Sequence, residues 1–238
     1  MTEENKIEKP SAVADMFKPK KYGIAAKREA AQKKIAELNP LDMANKLAIV
    51  FDDSGSMNGQ KIRDAHDGVR GFTNQCIPTE TSLAVYPLND DYKPLTCNYD
   101  LLNLAVSSIR ATGGTPLYAK TQQALKHSDG YDRLVLFSDG DPTDKNVGYG
   151  DEYTKDNHEE TIKLANSVET PLDTVYIGIE GTTGYDVMKD LADKTGGIFI
   201  HFKDASSLAS GLKYLSPGLR GLLANPEIKA KIERGETL

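Results

Sequence analysis

Residues 47 to 62, LAIVFDDSGSMNGQKI, carry an apolar run straight into two aspartates and two serines around a glycine. Asp52, Ser54 and Ser56 fall at alternate positions, so one loop can aim a carboxylate and two hydroxyls at a single point. Gly55 between the serines permits a close backbone approach or a positive φ. Two further stretches share this chemistry. ATGGTPLY places Thr115 just before a helical pattern, and LFSDGDPTD places Asp139 at the end of an apolar run, with Asp141 and Asp144 beyond it. Carboxylates, hydroxyls and water are what hard divalent cations bind, and Mg2+ in particular takes one or two carboxylates and keeps positions for water or a ligand. The set points to Mg2+ or Mn2+, ahead of Ca2+. Taken singly, each stretch also reads as plain loop. DDSGS and SDGDP have turn composition, and TGGTP starts a helix, with Thr115 at the N-cap and Pro116 at the first helical position. On that reading the Thr115 hydroxyl is shared between capping and coordination.

Such residues need a scaffold that collects loops at one end. KLAIVFD, SLAVYPL, DRLVLFSD, LDTVYIGI and GIFIHF are short, rich in Val, Ile, Leu, Phe and Tyr, and mostly bounded by Gly, Asp, Pro or Ser, which is the pattern of strands. Several are nearly continuous apolar runs, as in strands buried on both faces. Between them lie amphipathic stripes: Ile62, Ala65, Val69, Phe72 and Cys76; then Leu117, Thr121, Ala124 and Leu125; then Ile162, Ala165 and Val168; then Val187, Met188, Leu191 and Ala192. Alternating strands and helices imply an α/β fold with a mostly parallel central sheet flanked by helices on both faces. In open sheets of this kind ligands gather outside the carboxyl ends of the strands, where the three loops fall.

Composition agrees with a folded globular chain. Of 238 residues, 39% are hydrophobic and 27% charged, and the net charge of −6 argues against nucleic acid as the main partner. Residues 1–43 differ, with Lys18, Lys20, Lys21, Lys27, Arg28, Lys33 and Lys34 making a basic arm that keeps nucleic acid in view and predicts a helix at about 24–38. Residues 44–215 form the expected domain. The extension 216–238 reads as an irregular connector and a short helix from about Pro226 to Arg234. No apolar run approaches the ~20 residues that span a bilayer, and the start lacks the apolar core of a secretory signal, so a cytoplasmic location and no membrane are expected. Cys76 and Cys97 lack metal-site spacing and read as reduced, packed thiols.

Taken together, FDDSGSM, TGGTPLY and LFSDGDP resemble the von Willebrand factor type A (VWA) domain and its metal ion-dependent adhesion site, with Asp52, Ser54 and Ser56 on the family's D-x-S-x-S, Thr115 on its threonine and Asp139 on its second aspartate. The resemblance covers roughly residues 44 to 215. It implies a Rossmann-like doubly wound sheet with one divalent ion at its top. Ser54, Ser56 and either Thr115 or Asp139 would touch the ion, with Asp52 and the remaining residue acting largely through water. An Asp or Glu from a protein partner would complete the ligands, so binding rather than turnover is the expected output. The resemblance also implies that a last helix, here about Ala205 to Leu215, can shift when the ion gains a partner ligand. Asp53, Asp141 and Asp144 fall outside the motif and are expected to tune the field or cap loops. His66, His127, His158 and His201 form no triad, and no GxxxxGK[ST] loop is present, so an enzyme is not expected. Two alternatives stand beside the adaptor reading: a Mg2+-dependent hydrolase or phosphoryl-transfer enzyme, and an assembly protein that binds through its basic arm with incidental metal.

Overall fold

The computed structural model describes residues 45–78, 80–127, 130–143, 155–234 and 236; the arm with its expected helix, and Asp144, lie outside the described residues. The elements run β1 (Asn45–Phe51), α1 (Gln60–Thr73), β2 (Thr81–Pro87), β3 (Lys93–Thr96), α2 (Tyr99–Ser107), α3 (Leu117–Leu125), β4 (Arg133–Ser138), α4 (Lys155–Ser167), β5 (Leu172–Ile177), α5 (Thr183–Thr195), β6 (Phe199–Phe202) and α6 (Pro226–Glu233). The sheet order is β3-β2-β1-β4-β5-β6, parallel throughout except for β3, which runs antiparallel to β2 at one edge. This is the Rossmann-like α/β arrangement. No helix among the described residues is long and apolar enough to cross a membrane.

Strand alternation divides the core in two. Leu47, Ile49 and Phe51 of β1 face one layer with Val135 and Phe137 of β4, covered by α1, α2 and the C-terminal segments. Ala48 and Val50 face the other with Leu134 and Leu136, covered by α3, α4 and α5. The expected α1 stripe is buried from Ile62 to Phe72. Cys76, just past the helix, stays in the core, and burial pushes its thiol up to about 12, which leaves it an inert packing group.

Two elements escape the sequence pattern and two expectations change. β3, with Pro94, escapes the strand pattern because an edge strand tolerates proline and sits half-exposed. α2 escapes the helical pattern because Leu101 and Leu104 point outward, 61% and 68% exposed, while Leu102 and Val106 alone are buried. Val168 does not extend the α4 stripe; the helix stops at Ser167 and Val168 is exposed. The helix expected from Ala205 to Leu215 is a 3-10 turn (Ala205–Ser207), one α turn (Leu208–Gly211) and a second 3-10 turn (Leu212–Leu215). Glycine lowers helix propensity, and Gly211 is pressed against Phe202 so closely that a Cβ would come within 2.0 Å of the ring.

The C-terminal segment docks on the domain. Asn225 caps α6 by accepting from the Glu227 and Ile228 amides, and Leu223 and Ile232 join the β1 core layer. The anchor is Asp173 of β5, fully buried, which accepts from Arg220 Nε and Nη2 at 3.0 Å each, from Arg133 Nη1 at 3.0 Å and from the Ile198 amide at 2.7 Å. A buried carboxylate that loses a charged donor is costly. Arg220→Ala is expected to cost roughly 2 kcal/mol in urea unfolding, with Arg220→Lys recovering only part because one ammonium cannot replace the fork.

His66 of α1 stacks on Phe51 with ring centroids 5.6 Å apart, and its buried Nε2 has no hydrogen-bond partner among the described residues. Burial, then the nearby Arg110, holds the imidazole below its usual value. The folded state therefore binds this proton less readily than the unfolded chain. The His66 contribution is full above the unfolded value of about 6.5 and declines as pH falls below it. The buried Asp52 carboxyl, raised to about 6, titrates in the same window with the opposite sign, so the His66 contribution is read as a difference: as pH falls from 7.5 to 5.5 the urea midpoint of His66→Phe should gain on that of the wild type.

Candidate metal centre

β1 and β4 pair in register, Phe51 opposite Phe137, so the residues after them leave the sheet side by side. From β1 the chain winds outward through β2 and β3, and from β4 it winds the other way through β5 and β6, which makes the β1–β4 boundary the switch point where a crevice opens. Asp52 stands there, fully buried. Its Oδ1 accepts from the Ser54 amide at 2.8 Å and its Oδ2 from the Ser138 hydroxyl at 2.5 Å. Burial pushes the Asp52 carboxyl up to about 6; the hydrogen bonds from Ser138 and Ser54 pull it back, and Asp139 adds a smaller upward push.

The hydroxyls line up from this floor toward solvent. Ser54 Oγ and Ser56 Oγ are 3.0 Å apart, and Ser56 Oγ donates to Asp139 Oδ1 at 2.6 Å. The other oxygen of Asp139 pairs with the Lys61 ammonium. Thr115 Oγ1 and Ser56 Oγ both lie over Gly140, at 3.6 Å and 3.8 Å from where a Cβ would sit. The five residues read from the sequence thus converge, with Asp52, Ser54 and Thr115 buried and Ser56 exposed at the mouth. Among the described residues no group of three or more His, Cys, Asp or Glu side chains is placed to hold a metal ion. The converging set has a different chemistry, two carboxylates and three hydroxyls, all oxygen and suited to a hard cation.

Backbone bonds stitch the three loops together. Gly55 N donates to Gly113 O at 3.0 Å and Thr112 N to Asp53 O at 2.7 Å, joining the first loop to the second. Thr143 N donates to Thr115 O at 2.8 Å, and Thr115 N donates to Thr143 Oγ1 at 2.9 Å, joining the second to the third. Gly55 has no positive φ, and a Cβ there would meet Gly113 O at an ordinary 3.5 Å, so neither of the two roles expected of this glycine is required. Thr115 is not the N-cap of α3: Pro116 takes that position and no side chain caps the helix, because the Thr115 backbone is engaged across the crevice. Its hydroxyl is thereby released from capping.

The neighbouring carboxylates do cap loops. Asp141 Oδ1 accepts from the Gly184 amide at 2.6 Å at the start of α5. Asp53 Oδ1 accepts from the backbone and side-chain nitrogens of Asn89 at 2.8 and 3.3 Å, and burial raises its carboxyl above the usual range. Asn89 also donates to Gly114 O at 2.8 Å, so it spans two of the loops. Gly113 fits beneath it only as glycine, with φ +70° and a Cβ position 2.4 Å from Asn89 Oδ1. Ser138, Asn89 and Lys61 are the participants that sequence reasoning missed. Ser138 abuts Asp139 in LFSD and could have been noticed; Asn89 and Lys61 carry no local signal.

No family model matches the chain, and no curated protein matches it by sequence. Solved structures do match. A von Willebrand factor type A protein from Catenulispora acidiphila superposes with a TM-score of 0.59 at 20% identity over 72% of this chain and 42% of that one. The SpRpn10 VWA domain gives 0.56 at 18% identity over 73% and 96%. The pilus adhesin SpaC from Lactobacillus rhamnosus GG, in an open conformation, gives 0.55 at 15% identity over 74% and 30%. The fold is the von Willebrand factor type A fold. The chain spans less than half the length of the first and third of these proteins and nearly all of the second.

Elsewhere on this VWA fold a concavity of about 580 Å3 is lined in part by His158 of α4 and by Asp186, Asp190 and Asp193 of α5. His158 does meet a carboxylate, with Nε2 2.7 Å from Asp190 Oδ2 and Nδ1 3.2 Å from the Tyr118 hydroxyl. The imidazole is buried and ties α3, α4 and α5 together, a packing role. At the crevice, Asn89→Ala removes the side-chain bonds to Asp53 Oδ1 and Gly114 O while the 2.8 Å backbone donor to Asp53 stays. It is expected to destabilise by about 1 kcal/mol in urea unfolding, the net size of a lost buried hydrogen bond.

Proposed function

We propose that the protein is a divalent-ion-dependent protein-binding module of the cytoplasm, in which Asp52, Ser54, Ser56, Thr115 and Asp139 hold Mg2+ or Mn2+. The observation that carries this reading is the convergence of three loops, at the switch point of a VWA-fold sheet, on two carboxylates and three hydroxyls with an exposed mouth at Ser56. When bound, the ion supplies a positive centre that accepts a carboxylate oxygen from an Asp or Glu of a partner. Asp52, oriented by Ser138 and the Ser54 amide, anchors the floor. Ser54 and Ser56 offer neutral oxygens that leave the ion's charge largely unquenched, and Thr115, free of capping, offers a third. Five side chains leave a six-coordinate Mg2+ short of at least one ligand, so the partner's carboxylate has a place. One of the similar structures is a pilus adhesin, a binding protein by name, which fits a module of this kind. The two free cysteines fit a reducing cytoplasm.

Thermal melts of the wild type, Asp52→Asn and Thr115→Ala in EDTA, Mg2+, Mn2+ and Ca2+ test the reading. Ion at a hundredfold its Kd stabilises by about 2.7 kcal/mol, or about 5 to 10 °C for a chain of this size. The wild type should rise by that amount in Mg2+ or Mn2+ and both variants should not. Proteins captured by the wild type should elute in EDTA and be absent with Thr115→Ala. A melt and a capture that are both indifferent to EDTA would reject the reading.

A further inference from the structure

Lys61 is the second residue of α1, and its ammonium pairs with Oδ2 of Asp139 while Ser56 holds Oδ1. The two partners are unequal. The Asp139 side chain is 1% exposed and that of Lys61 is 45% exposed, so a fixed, buried carboxylate faces an ammonium that reaches in from solvent on a flexible stem. The position is also poor for the helix by itself. The first turn of a helix favours an anion and disfavours a cation, and no acidic residue in this turn offsets the lysine. The compensating charge lies across the crevice on Asp139, one of only two carboxylates in the five-residue set.

Both oxygens of Asp139 are therefore taken, one by a hydroxyl that can turn and one by a cation. A divalent ion drawn to Asp139 and Ser56 would meet the Lys61 ammonium on the same carboxylate, and two cations at that separation repel. Asp139 follows directly on β4 and cannot retreat. Lys61 can, because its head needs only to swing into the solvent that already wets its stem.

We propose that Lys61 is a tethered counter-ion of the centre: its ammonium neutralises Asp139 while no divalent ion is held and leaves when one binds. Lys61 thereby sets the divalent-ion concentration at which the site fills. The inference rests on the reading of Asp139 as part of an ion site. Its consequence is a centre that responds to the ion supply instead of staying permanently loaded, with the buried carboxylate compensated in both states.

The test uses the full chain with Lys61→Met, which keeps the stem and removes the charge, and with Lys61→Arg, which keeps the charge. Mn2+ and Mg2+ binding is measured by calorimetry on the proteins alone, and each is melted in EDTA. Lys61→Met should bind Mn2+ about tenfold more tightly than the wild type, the effect of removing one partly screened charge beside the ion. It should also melt lower than the wild type in EDTA, and Lys61→Arg should restore both values. Equal or weaker ion binding by Lys61→Met overturns the counter-ion role and leaves the ion site standing. Absence of binding by both proteins, or unchanged binding by Asp139→Asn, overturns the ion site at Asp139 and the inference with it.

Discussion

The in-register parallel pairing of β1 with β4 is the constraint on which the rest of the crevice depends. Because Phe51 sits opposite Phe137, Asp52 emerges beside Ser138, and one residue later Asp139 comes within reach of Ser56. A slip of one residue would exchange the two faces of β1, sending Ile49 and Phe51 to the layer shaped for Ala48 and Val50. Both layers are closed by helices, so the slip is excluded by packing. The register that organises the polar crevice is thus enforced by apolar side chains that never touch it.

That enforcement lets the fold hold groups that would otherwise be expelled. Asp52 is fully buried with its carboxyl pushed up to about 6, and Asp53 is buried beside it with one oxygen unpartnered among the described residues. Burying such groups costs several kcal/mol unless hydrogen bonds or counter-charges compensate. The compensation comes from residues on other elements: Ser138 of β4 for Asp52, Asn89 of the segment after β2 for Asp53, and Lys61 of α1 for the neighbouring Asp139.

Near the start of β5 another buried carboxylate follows the same logic. Asp173, buried in β5, is satisfied by Arg133 and by the two-pronged contact of Arg220, which draws the C-terminal segment onto the β1 layer. The short turns from Ala205 to Leu215 lie between this anchor and α1. They press close enough that a Cβ on Gly68 would come within 3.3 Å of Leu208 O. α1, which carries Lys61 at its first turn, is therefore packed against the segment whose end Arg220 ties down.

The α/β class, five of the six strands and the four helices with clear stripes were legible in the sequence, because each depends on local pattern, and Asp52, Ser54, Ser56, Thr115 and Asp139 were legible as loop residues at one end of the sheet. Apolar runs demand burial, and a loop after a buried strand has a known end of the sheet to occupy. What escaped is what depends on partners far along the chain. β3 is a strand only because β2 offers an edge; α2 is a helix whose outward leucines hide its stripe; Thr115 looks like a helix cap until Thr143 takes hold of its backbone. Ser138, Asn89 and Lys61 acquire their roles from contacts spanning 86, 36 and 78 positions. Such contacts leave no periodic trace, since only the folded sheet decides which distant charges and hydrogen bonds must compensate one another in the same buried space.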